Sequence, residues 1–260
     1  CIVKNIKPIV KKMKTKRKNS GIIIIGNEIL SGKTLEKNSN FICKNLRNIG
    51  ILCREIVVIP DDKKQIIQKV DEFRKKYDYV FTTGGIGPTH DDITAESISE
   101  AFKDDLVVNH EAKKRLQSHY SDEDFTKPRL KMAFLPSKAK LIDNPVSIAP
   151  GFAVENVYVF PGVPKIMEVM FVEFLKTMKV EEKIYKKNIT TQLSEGLIGE
   201  YLELVQNKFK DLEIGSYPYF KNNSFGVSLL ICGDKKNRVD SASKLIFDYL
   251  LIKKGKPRLF

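Results

Sequence analysis

The chain is predicted to be an α/β protein: a three-layer α/β/α domain with a mainly parallel sheet over residues 20–178, then a small α+β domain over 183–255. Three observations predict it. Strand-length and helix-length segments alternate from Gly21 to Phe102, the rhythm of βαβ units. A β-rich run, YDYVFTT, ends in a glycine turn and leads into an amphipathic helix, placing a ligand position at the carboxyl end of a strand. After Lys179 the order changes to β-α-β-β-α.

The elements follow in order. Residues 21–25 (GIIII) read as a central strand, because four consecutive isoleucines leave no polar face. The turn GNEILSG comes next, then a helix over 34–49 with Leu35, Ile42, Leu46 and Ile49 at helical spacing and Gly50 as its stop. Residues 51–59 form the second strand, ended by Pro60. Asp61 or Asp62 starts a helix over 63–76 whose apolar face is Ile66, Ile67, Val70 and Phe73. The strand 77–83 and the helix 93–102 flank the glycine turn. A helix is expected over 109–118, an acidic loop over 120–125, strands over 139–143 and 152–160, and a helix over 165–178 after the turn FPGVP. Residues 179–182 read as a hinge. Beyond it come a strand 184–192, a helix 196–209, strands 212–219 and 226–232 joined by a turn at 221–224, and a closing helix 241–252.

Composition narrows the class. With 42% hydrophobic and 30% charged residues the chain fits an ordinary soluble protein, and no run approaches a transmembrane helix, so no membrane partner is expected. The net charge of +13 invites nucleic acid, yet eight of the basic residues stand in the first twenty positions with no acid among them, leaving +5 for the rest. Residues 1–19 are therefore read as a disordered basic tail, with Met13 inside it as the natural start. The four cysteines, Cys1, Cys43, Cys53 and Cys232, have neither CxxC spacing nor neighbouring histidines, which argues against a zinc site or disulfide framework and for a cytoplasmic setting. Gly196 and Gly199 fit the GxxG of nucleic-acid-binding KH domains, but no aromatic or basic cluster surrounds them, and subunit packing or shaping of the active-site rim is the favoured reading.

The chemistry concentrates in TTGGIGPTHDDITAE, residues 82–96. Gly84, Gly85 and Gly87 can aim successive amides inward as an anion nest, whereas Asp91 and Asp92 would repel the same anion unless a divalent cation lay between. The pairing suggests metal-assisted handling of a phosphate or pyrophosphate. A second reading stays open, in which the glycines only turn the chain and the aspartates cap a helix.

Six segments in order, IIGNEILSG, KNSN, VIPDD, TTGGIGPTHDDITAE, RLKMAFLP and FPGVPKIMEVMF, resemble the N-terminal part of CinA, the competence/damage-inducible protein A family, within the wider MoaB/Mog molybdopterin-binding superfamily. Phe160 replaces that family's usual leucine in LPGVP. The resemblance implies that Asp61 and Asp92 engage a divalent metal (Mg, Mn or Co) and the phosphate-bearing ligand, converging from neighbouring strand ends. For Asp62 and Asp91 helix capping is the stronger reading. Glu28, placed after the first strand, is expected to reach the same crevice as an indirect metal ligand or a ribose acceptor, and the resemblance implies ligand roles for the Asn38–Ser39 pair, Gly162 of FPGVP and the loop NPVSIAPG. Thr83, Thr89 and Thr94 can donate to phosphate oxygens, and Lys165 can neutralise them. His90 reads as a solvent-facing loop residue rather than an acid or base, and His110 and His119 carry no motif. The implied second domain is the KH-like domain of CinA proteins, and the implied protein is the short form without the deamidase domain.

Three functions are compatible with these residues. The leading one is a metal-dependent pyrophosphatase on a nucleotide-sugar or dinucleotide of the ADP-ribose or FAD type. The others are molybdopterin binding or adenylyl transfer in molybdenum-cofactor metabolism, and a non-catalytic ligand-binding homo-oligomer. All three take a small nucleotide or pterin ligand.

Overall fold

The computed structural model describes residues 17–179, 183–221 and 224–260. Most of the expected basic tail with Met13, most of the expected hinge, and the middle of the turn at 221–224 lie outside the described residues. The elements run β1 (Asn19–Ile25), α1 (Asn27–Leu30), α2 (Asn38–Asn48), β2 (Leu52–Ile59), α3 (Lys63–Lys76), β3 (Tyr79–Thr83), α4 (Thr94–Ala101), β4 (Leu106–Val108), α5 (His110–His119), α6 (Lys127–Lys131) and β5 (Phe134–Pro136). They continue with β6 (Lys140–Ile142), β7 (Gly151–Val154), β8 (Val157–Phe160), α7 (Pro164–Leu175), β9 (Tyr185–Thr191), α8 (Glu195–Lys208), β10 (Glu213–Lys221), β11 (Ser224–Gly233), α9 (Lys236–Ile252) and β12 (Arg258–Leu259). The described residues divide into two compact units, one within 17–36 and 52–167 and the other within 37–51 and 168–260.

The first unit is built on a six-stranded sheet of order β2-β1-β3-β8-β7-β6. β2, β1, β3 and β8 run parallel, and the last two strands antiparallel. The isoleucine run occupies the centre, with Ile22 and Ile23 at 0% exposure, as the absence of any polar position in it requires. α3 has its apolar stripe at Ile66, Val70 and Phe73, all fully buried, and its first turn is capped by Asp62, whose Oδ1 accepts from Gln65 N at 3.0 Å.

Several expectations are corrected. The helix expected from Thr34 begins at Asn38, and Leu35, assigned to its apolar face, is 75% exposed. Thr34 N donates to Glu28 O at 3.0 Å, which ties that segment to α1 rather than to a helix of its own. The strand expected over 152–160 is a hairpin, β7 and β8, broken at Glu155 with a φ of 50°. Asn156 Nδ2 fastens the turn by donating to Arg74 O and Tyr77 O. The antiparallel pair β4–β5, the short helix α6 and strand β12 have no counterpart in the sequence reading.

The second unit carries an antiparallel sheet of order β10-β11-β9-β12, with α8 and α9 packed against it. Its core is Ile189, Leu229 and Ile231 from the strands with Ile198, Val205, Ile246 and Leu250 from the helices. α2 belongs to this unit: Arg47 meets Glu213 at 2.5 Å, Lys186 Nζ donates to Asn48 Oδ1 at 2.8 Å, and Phe41 packs edge-on against Phe171.

Candidate functional site

The site begins at the end of β3, where the backbone must turn away sharply. Gly84 has a φ of 106° and Gly85 of 67°, both in the left-handed region that L residues rarely enter. Space forbids a side chain as well: a Cβ on Gly84 would lie 2.0 Å from Ile25 O, and one on Gly85 2.2 Å from Thr94 Oγ1. Gly84 N donates to Phe160 O at 3.1 Å, Thr94 Oγ1 to Gly84 O at 3.0 Å and Thr94 N to Gly85 O at 2.9 Å. Gly162 backs this turn so closely that a Cβ there would stand 3.3 Å from Gly84 Cα. The amides of Gly85, Ile86 and Gly87 make no hydrogen bond among the described residues, so they are available to an anion.

A cleft of about 660 Å³ opens over the turn, a volume suited to a nucleotide-sized ligand. Glu28, Asp61, Asp91 and Asp92 all line it, together with Gly84, Gly85, Gly87 and Gly162. Asp61 Oδ2 accepts from Asn27 N at 2.8 Å, which fixes the start of α1, and Oδ1 has no partner among the described residues. Asp92 Oδ2 accepts from Thr89 N at 2.8 Å and from Thr89 Oγ1 at 2.6 Å, again leaving Oδ1 without one. The Thr89 hydroxyl also donates to Asp91, so a single proton is shared between two carboxylates. That bond, with further help from the nearby His90 and Lys131 charges, holds the Asp91 carboxyl below the usual range.

The sequence-assigned residues separate into two groups. Thr94 is fully buried and its hydroxyl is committed to Gly84 O, so it pins the turn instead of meeting a ligand. Thr89 likewise serves its neighbouring aspartates. Thr83 is 1% exposed on β3, Asn38 and Ser39 are buried at the start of α2, and Lys165 is exposed on α7; none of these lines the cleft. Asp62 is the cap of α3, whereas α4 has Ile93 at its N-cap and neither Asp91 nor Asp92 caps it.

Arg129, which the sequence did not single out, and the loop NPVSIAPG, to which the resemblance gave a ligand role, complete the wall. Arg129 is the one cation among the lining residues; its guanidinium lies 4.0 Å over the Tyr120 ring and Nη1 donates to Asp124 O at 2.5 Å. An isolated arginine in RLKMAFLP carries no signal that it will be stacked and aimed, because Tyr120 comes from a different element. Asn144 organises the loop before β7: Nδ2 donates to Ser147 Oγ and Ala149 O, and Oδ1 accepts from Val146 N and Ser147 N. Ile148 in that loop has a φ of 66°, an unusual angle for a β-branched residue and a marker of local strain.

No three His, Cys, Asp or Glu side chains stand together as a ready metal centre among the described residues. A magnesium-like cation needs only one or two protein carboxylates when phosphate oxygens and waters fill the remaining positions. The unpartnered oxygens of Asp61 and Asp92 fit that partial donor set. No helix among the described residues is long and apolar enough to cross a membrane.

A mainly parallel sheet with a glycine turn and carboxylates beyond its strand ends is an α/β domain with a cleft at the carboxyl ends of its strands, where open sheets of this class take their ligands. Residues 21–180 match the family model described as a probable molybdopterin binding domain, and the chain belongs to that family. Residues 183–254 match the model of the FAD synthase middle domain. A CinA-like protein of Thermosipho melanesiensis is 34% identical over 242 residues, covering 90% of this chain and 59% of the relative. A probable FAD synthase of Caenorhabditis briggsae is 34% identical over 241 residues, covering 83% of this chain and 46% of the relative. The chain thus spans about half the length of these two proteins. Among solved structures, the protein CinA of Thermoplasma acidophilum is 37% identical with a TM-score of 0.59, covering 62% of this chain and 97% of that one. It supports the α/β fold with its mainly parallel sheet.

Proposed function

We propose that the cleft hydrolyses the pyrophosphate of a nucleotide-sugar or dinucleotide, of the ADP-ribose or FAD type, with a divalent cation. The observation that carries this reading is that three unbonded amides, Gly85, Ile86 and Gly87, and two carboxylates that each keep one oxygen unpartnered, Asp61 and Asp92, line one cleft. The amides hold the phosphate that does not react. Asp61 and Asp92 would hold the cation through their unpartnered oxygens, and it would supply positive charge against the diphosphate. Arg129 supplies positive charge from the opposite chemistry of the wall, and its Tyr120 support limits where that charge can point. Water adds to one phosphorus as the bridging P–O bond breaks; two phosphomonoesters form and a proton leaves to solvent. The FAD synthase likeness of residues 183–254 supports a flavin or adenine dinucleotide as substrate.

A second reading, molybdopterin binding or adenylyl transfer, is supported by the family description over residues 21–180. In either case the ligand is a small nucleotide or pterin, assembly as a homo-oligomer is expected, and cysteines without CxxC spacing suit a reducing compartment such as the cytoplasm. Incubation of the purified protein with ADP-ribose and with FAD, under Mg, Mn or Co, tests the proposal. Release of AMP with ribose 5-phosphate or FMN is expected. Binding of either compound without turnover under every cation overturns it in favour of a binding protein.

A further inference from the structure

α9 places Asp240, Ser243, Lys244 and Phe247 on one face by their spacing of three, four and seven residues. Together with Lys187 of β9 and Leu259 of β12 they wall a cavity of about 250 Å³ in the second unit. Ser243 is only 4% exposed, and its hydroxyl has no hydrogen-bond partner among the described residues. A helical serine can bond back to the carbonyl one turn earlier. Ser97 and Ser241 do so here, to Ile93 O and Asn237 O, each at 2.8 Å, whereas Ser243 and the equally buried Ser99 of α4 do not; of these two only Ser243 lines this cavity. A buried hydroxyl left without a partner is costly and calls for an explanation.

The surrounding charge indicates what would satisfy it. Asp240 is already engaged by Lys236 at 2.9 Å and faces Lys187 at 3.8 Å, while Lys244 has no ion pair among the described residues. The wall itself carries two ammonium groups, Lys187 and Lys244, against the one carboxylate of Asp240, an excess of one positive charge, and Lys236 offsets that carboxylate from outside the wall; the rest of the lining is Ser243, Phe247 and Leu259. We propose that this cavity is a binding site for a small organic anion, a phosphate or carboxylate on a compact apolar body. The anionic head sits between Lys187 and Lys244 and accepts from Ser243, and the apolar body rests on Phe247 and Leu259. At 250 Å³ the cavity is below the range for a whole dinucleotide, which separates its ligand from that proposed for the first unit.

Phenyl phosphate, inorganic phosphate and neutral benzyl alcohol serve as probes, titrated into the whole protein while backbone amide resonances of α9, β9 and β12 are followed by NMR. Phenyl phosphate should shift Lys187, Ser243–Phe247 and Leu259 amides saturably and more tightly than either other probe. Lys244→Gln should weaken that binding about tenfold, the scale of one charge-assisted contact. Ser243→Ala should weaken it while raising the melting temperature of the free protein, because an unsatisfied hydroxyl is removed. Absence of saturable shifts at these amides overturns the site, as do equal affinities in wild type and Lys244→Gln. Neither result bears on hydrolysis by the cleft of the first unit, which uses different residues.

Discussion

At the scale of single residues, the difference between a ligand contact and a support for one is what the structure resolves. Thr89 and Thr94, chemically similar and five positions apart, both spend their hydroxyls inside the protein, one on Asp91 and Asp92 and the other on Gly84 O. Thr94→Val keeps the shape but leaves that carbonyl short of a donor, and should cost about 1–3 kcal/mol in denaturant unfolding. Asp92→Asn retains an oxygen able to accept from Thr89, so the melting temperature should hardly move. Turnover with the preferred pyrophosphate should fall by roughly a hundredfold or more, the scale of one major electrostatic contact in a transition state. Asp91→Asn should do less. Equal turnover by wild type and Asp92→Asn would remove that residue from the mechanism. The motif made the aspartates visible as a pair; which oxygen each leaves open depended on a threonine turning toward them.

At the scale of elements, local signals were read well where one stretch of chain supplies all the causes. The bounds of α3 and its cap Asp62 follow from its own residues. Asp62→Ala should cost about 1 kcal/mol of stability without altering turnover, as measured by unfolding and by steady-state assay. β4 and β5 were not legible because their pairing depends on contacts across the sequence. Asp104 illustrates this: it accepts from Ser137 Oγ at 2.6 Å and Lys138 N at 3.0 Å, fastening the entry to β4 against the loop after β5. These bonds, the Ser137 hydroxyl first, hold its carboxyl below the ordinary value. A carboxyl lowered in the folded state contributes stability above the unfolded pKa of about 3.9 and loses it as pH falls through the folded value. Wild type should therefore exceed Asp104→Asn in stability at neutral pH, and the gap should close on acidification; a gap independent of pH would assign the effect to packing alone.

At the scale of the whole molecule, the proposed chemistry makes a prediction that no single residue carries. Because Asp61 and Asp92 form only part of a donor set, cation and diphosphate should bind together. Cation affinity measured by calorimetry should rise in the presence of a non-hydrolysable diphosphate ligand, and excess chelator should abolish turnover. Full hydrolysis in chelator would leave the amides and Arg129 to act without a metal. The sequence by itself determined the alternating strands and helices, the central isoleucine strand, the glycine turn and the acidic positions around it, because periodicity and backbone freedom are local properties. Only the tertiary structure decided that Arg129 rests on Tyr120, that Thr94 is a fastener and not a ligand donor, and that α2 groups with the C-terminal segment. Those outcomes depend on which distant residues come within hydrogen-bond or van der Waals reach, and no spacing along the chain encodes that distance.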